Sequence, residues 1–125
     1  MRYALLVYGS DAEWVDLPAE TRAELRAREM PRWLVLFDEL RRVDPEAAGK
    51  ELDSRLSAKT VRVRDGERIV TDGPFAETKE VLGGLFSVEL SDLDEAIRIA
   101  SLVPAAEYGS IEIRPLEDTG GAPNG

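Results

Sequence analysis

Apolar residues fill both alternating faces of Tyr3-Ala4-Leu5-Leu6-Val7-Tyr8, with Tyr3, Leu5 and Val7 on one and Ala4, Leu6 and Tyr8 on the other. A strand with two apolar faces is covered on both sides. In a domain this small the chain's own helices take one face, and the other calls for a partner subunit, a first pointer to a homodimer. Gly9-Ser10-Asp11 reads as a turn, and Asp16-Leu17-Pro18 as a helix start with Asp16 at or near the cap and proline in the first turn. From Ala19 to Val43, Leu25, Met30, Trp33, Leu34, Phe37 and Leu40 recur near helical spacing, while Glu24/Arg28 and Asp38/Arg42 supply i,i+4 pairs. Pro31 removes one backbone bond inside this helix and predicts a kink or two abutting helices.

Asp44-Pro45 ends the helix, and the weakly patterned stretch from Ala48 to Ala58 reads as a loop with a short edge strand. Thr60-Val61-Arg62-Val63-Arg64, Asp65-Gly66 and Glu67-Arg68-Ile69-Val70-Thr71 then form a hairpin signal, since Asp-Gly favours the turn that matches strand twist. Val61 and Val63 fall on one side of it, Arg62 and Arg64 on the other. At Asp72-Gly73-Pro74 the chain must turn sharply, because glycine permits unusual dihedrals and proline steers Gly73 away from the α region. Beyond Gly83-Gly84, Phe86, Val88 and Leu90 alternate inward. Ser91-Asp92-Leu93-Asp94 is a capping signature with Ser91 at the cap. It opens a helix whose predicted buried stripe is Leu93, Ala96, Ile97 and Ala100, closed by Pro104. Ser110 to Arg114 is the last strand, ended by Pro115, and residues 117–125 read as a flexible tail.

Strand, helix, hairpin strands, strand, helix, strand describes an α+β chain of ferredoxin-like type. In this βαββαβ sandwich two helices cover one face of an antiparallel sheet and leave the other bare. The 125 residues make one domain, residues 1–116, with a modest core.

Composition narrows the chemistry. The chain has no cysteine and no histidine, which removes thiolate nucleophiles, imidazole bases and zinc sites built on nitrogen or sulfur; a metal would need oxygen ligands alone. Neither a metal nor another cofactor is expected. The net charge of −9 repels phosphate backbones and anionic headgroups, so direct binding to nucleic acid or membrane is disfavoured. No apolar run approaches 18 residues, and the first strand is too short for a signal peptide's apolar region, so a cytoplasmic protein is expected.

Thr60 to Gly66, Val70-Thr71-Asp72-Gly73-Pro74-Phe75-Ala76-Glu77-Thr78-Lys79-Glu80 and Leu82-Gly83-Gly84 resemble the DGPF-domain branch of the YCII-related family, over roughly residues 1–116. The resemblance implies a ferredoxin-like subunit that pairs through its bare sheet face, the dimeric α/β barrel arrangement. It also implies a small cleft in which the Asp-Gly-Pro segment is the candidate site. Some YCII-like relatives look like enzymes with a histidine–aspartate pair, chemistry that cannot be carried over to a chain without histidine. Others of the DGPF type are encoded near extracytoplasmic-function sigma factors.

The motif residues that carry over are Asp72, Gly73, Pro74, Phe75, Glu77, Thr78, Lys79 and Glu80. Asp72 reads either as a general base and ligand anchor or as the cap of its own turn. Lys79 would neutralise an acidic ligand or lower the pKa of Asp72, or belong with Glu80 to a surface ion pair. Arg62 or Arg64 would bind a carboxylate or phosphate if the polar hairpin face lines the cleft. Tyr8 is a hydroxyl donor at the end of the first strand, or packing. Met30, Trp33 and Phe37 read as core, and Asp92, Asp94 and Glu95 as capping rather than metal ligands. The functional expectation is a homodimer that binds a small polar or aromatic metabolite near Asp72 and Lys79, with carboxylate-mediated proton transfer by Asp72 as its available chemistry. The alternative is a non-catalytic accessory protein acting by contact with a regulatory protein partner in a sigma-factor circuit.

Overall fold

The computed structural model describes residues 1–9, 17–74 and 79–117. Its elements are β1 (Arg2–Gly9), α1 (Ala19–Val43), β2 (Ala48–Glu51), β3 (Lys59–Arg64), β4 (Glu67–Asp72), β5 (Val81–Glu89), α2 (Leu93–Ser101) and β6 (Ser110–Pro115), with short 3₁₀ turns at Arg55–Ser57 and Pro104–Glu107. Four strands form one antiparallel sheet in the order β2-β5-β1-β6. With α1 and α2 crossing between β1 and β2 and between β5 and β6, this is the ferredoxin-like α+β arrangement.

The predicted hairpin exists, but it lies outside that sheet as a separate two-stranded ladder, β3-β4. Its place in the sheet is taken by β2, a four-residue edge strand exposed along its whole length. Ala-Gly-Lys-Glu has no hydrophobic alternation to announce it. At the hairpin turn Asp65 (φ 51°) and Gly66 (φ 77°) both adopt positive φ, the geometry that matches the twist of the flanking strands.

One face of the sheet carries the core. Register aligns Leu5 with Phe86 and Ile113, and Tyr3 with Val88, and these side chains pack against Leu36 and Leu40 of α1 and Ala96 and Ile99 of α2. Trp33 and Phe37 flank the same core, their rings tilted with centroids 5.9 Å apart, whereas Met30 is exposed.

Three local expectations are corrected. The first helix is one helix through Pro31, not two, fastened on either side of the proline by Arg26–Glu51 and Arg32–Glu107 ion pairs to β2 and the second 3₁₀ turn. Asp38 pairs with Arg41, not Arg42, because Arg42 turns to Glu39, which also receives Arg98 of α2. The cap of α2 is Asp92, whose carboxylate accepts from Glu95 N at 2.8 Å while Glu95 reaches back to Ser91 N. That helix buries Ala96, Ile99 and Ala100 and leaves Leu93 and Ile97 exposed, since its contact with the sheet is centred one residue further round than the predicted stripe. Pro18 occupies the cap position of α1; the capping role expected of Asp16 and the tail beyond Glu117 lie outside the described residues.

Candidate functional site

The second face of β1, away from the helices, is where Tyr8 stands. Register puts Tyr8 beside Ser110 and Leu6 beside Glu112 on β6, and Leu6 beside Leu85 on β5. The middle of this face is apolar, with Ala4, Leu6 and Leu85 half-buried. One end is polar. The Tyr8 hydroxyl donates to Glu112 Oε1 at 3.1 Å, Glu112 Oε2 lies 3.6 Å from Arg114 Nη1, and Ser110 Oγ donates to Glu80 Oε2 at 2.9 Å. The hydrogen bond to Glu112 raises the Tyr8 pKa above its ordinary value, helped by desolvation and the negative charge of Glu112, so the phenol keeps its proton.

The remaining predicted residues gather at the open end of the hairpin. Lys59 and Asp72 are cross-strand partners, and Lys59 Nζ donates to Asp72 Oδ1. That hydrogen bond and charge hold the Asp72 carboxyl below its usual range. Lys59, not Lys79, is therefore the cation that tunes Asp72. The signal was present in the sequence, because a two-residue Asp-Gly turn fixes the register that makes these residues neighbours. The turn after Asp72 is held by Gly73 N donating to Ala58 O and Thr60 Oγ1 donating to Gly73 O, both at 2.8 Å, with Gly73 at φ +91° as the glycine–proline pair requires. Pro74 is exposed and offers no N–H. The groups that Asp72 would cap, from Phe75 onward, lie outside the described residues, as do Phe75, Glu77 and Thr78 themselves.

Arg62 lies half-buried on the hairpin face opposite the valines, as the alternation required. Lys79 is exposed, and its neighbour Glu80 is the residue bonded to Ser110. The structure thus brings Tyr8 and Glu80 together through Ser110 and Glu112, neither of which sequence reasoning had singled out. Tyr8 and Glu112 are 104 residues apart, and only the β1–β6 register reveals them as neighbours. An open depression of about 230 Å³ on the first turns of α1, lined by Ala19, Arg22, Ala23 and Arg26, includes none of the predicted site residues. Among the described residues no group of three acidic side chains is arranged to hold a metal, and no helix is long and apolar enough to cross a membrane.

The model of the YCII-related domain matches residues 1–119. The chain belongs to the YCII-related family. It is also similar to an uncharacterized protein of Rhizobium meliloti (strain 1021), 36% identical over 118 residues that cover 93% of this chain and 92% of the relative. For a YCII-related subunit, the helix-free face bearing Tyr8 and the hairpin base bearing Asp72 are the two places where chemistry-bearing residues accumulate.

Proposed function

We infer that this YCII-related protein, of the DGPF branch by its Asp72-Gly73-Pro74-Phe75 segment, is a cytoplasmic homodimer that binds a small polar or aromatic metabolite. The observation that carries the reading is the Tyr8–Glu112 hydrogen bond on the face of the sheet that the helices leave uncovered. Exposed polar pairs of this kind contribute little to folding. Beside an apolar strip of Leu6 and Leu85 they supply what a small ligand needs, a flat apolar surface with convergent acceptors and a hydroxyl. Glu80 closes the Asp-Gly-Pro-Phe segment onto the same end of the sheet through Ser110. Arg62, Asp72, Gly73, Pro74, Phe75 and Lys79 form the other wall in this reading. The ligand class that fits carries hydroxyl or amino donors for Glu80 and Glu112.

Binding is favoured over carboxylate-mediated proton transfer. A general base or acid works best with a pKa near the working pH, yet Asp72 is held below its usual range by Lys59 and Tyr8 is pushed above its own by Glu112. The test is a thermal-shift screen of polar and aromatic metabolites against wild type, Glu112→Gln and Asp72→Asn. A hit that stabilises wild type and Asp72→Asn but not Glu112→Gln supports the reading. Turnover of a hit that Asp72→Asn abolishes would replace binding with catalysis.

A further inference from the structure

The β3–β4 hairpin carries its apolar surface outward. Register from Lys59/Asp72 to Arg64/Glu67 places Lys59, Val61, Val63, Arg68, Val70 and Asp72 on one face. There Val61, Val63 and Val70 are 59%, 61% and 54% exposed. An isolated two-stranded hairpin is marginal in water, and its stability comes from packing on something else. Among the described residues its strands pair only with each other. Its charge also sets it apart: the hairpin has four cations and three acids, whereas the rest of the chain has 12 cations against 22 acids.

We propose that the hairpin is an arm that docks, valine face first, on the helix-free sheet face of a second copy of this chain. The proposal rests on the homodimer reading above and adds which element makes the contact. The receiving face offers Leu6 and Leu85, half-buried, with Glu80 and Glu112 at one end. Arg68 shares the valine face and forms no ion pair among the described residues, so it is the cation that meets those acids. A two-fold axis makes the exchange reciprocal: each subunit lends one arm and receives one. The arm's exposed valines and its outer strand edges are covered together, which removes the hazard of a bare edge. The arm also brings Asp72-Gly73-Pro74 of one copy to the Tyr8–Glu112 end of the other, so the ligand cleft is built from two chains.

Two measurements test this. Amide hydrogen exchange on the wild-type protein, at concentrations above and below the dimer midpoint, should show residues 59–72 protected only in the dimer. Sedimentation velocity of Val61→Ser/Val63→Ser, with circular dichroism to verify folding, should show dimer dissociation raised at least about tenfold, as loss of a central apolar anchor does. A wild-type protein that sediments as a monomer overturns both the arm and the homodimer reading. A dimer whose hairpin exchange ignores concentration, or whose double variant is folded and dimerises as wild type does, overturns the arm alone. If the double variant fails to fold, the wild-type exchange decides by itself.

Discussion

Asp44 is a buried carboxylate with a structural explanation. Because β2 begins opposite Ser87, the Glu89 N–H two residues further along β5 has no strand to meet, and Asp44 Oδ2 accepts it at 2.9 Å while Oδ1 takes Glu46 N at 3.0 Å. The Glu89 N–H is the main reason the Asp44 pKa is lowered, aided by Glu46 N and Arg2. Asp44→Ala leaves two backbone donors without this acceptor and should cost about 1–3 kcal/mol in urea unfolding. Glu39 is held down to about 2, from a usual 4.5, by hydrogen bonds from Arg42 and Arg98. A depressed carboxylate stabilises the fold at pH values above its unfolded pKa and loses that contribution as pH falls through the folded one. Glu39→Gln should therefore melt below wild type at pH 7, and the gap should close between about 4.5 and about 2. At this scale the sequence announced Asp72 but not its partner. Removing that partner with Lys59→Met should return Asp72 toward its ordinary pKa in an NMR titration.

Among the elements, β1, α1, the hairpin, β5, α2 and β6 were each legible because periodicity or turn chemistry marks them. What was not legible was assembly. The hairpin's strong local signal said nothing of whether β3 joins the main sheet, and β2, which does join it, has no pattern at all. In α2, Leu93/Ile97 and Ile99/Val103 give two apolar stripes, and only packing shows that the second is buried. The hairpin's independence has a measurable consequence. Gly66→Ala forces a side chain into φ +77°, at roughly 1–2 kcal/mol. It should loosen exchange protection across residues 59–72 while leaving β1 and β5 protected. Gly109→Ala acts on the other sheet, because a Cβ there would stand 2.1 Å from Tyr8 O. It should lower the melting temperature and displace Tyr8 from Glu112, seen as a fall in the Tyr8 pKa.

The whole molecule is a ferredoxin-like sandwich with its core on one side of the sheet and a polar-ended apolar strip on the other. That division was readable from the two apolar faces of Tyr3 to Tyr8 alone. The polar end was not, because Tyr8, Glu80, Ser110 and Glu112 come from three distant stretches that only the sheet register unites. The direct test of this end as a ligand site is backbone amide chemical-shift mapping of the wild-type protein during titration with pooled polar and aromatic metabolites. The account predicts that a binding pool moves Tyr8, Glu80, Ser110 and Glu112 first. Shifts confined to the first turns of α1, or no shift at those four amides with any pool, would contradict it.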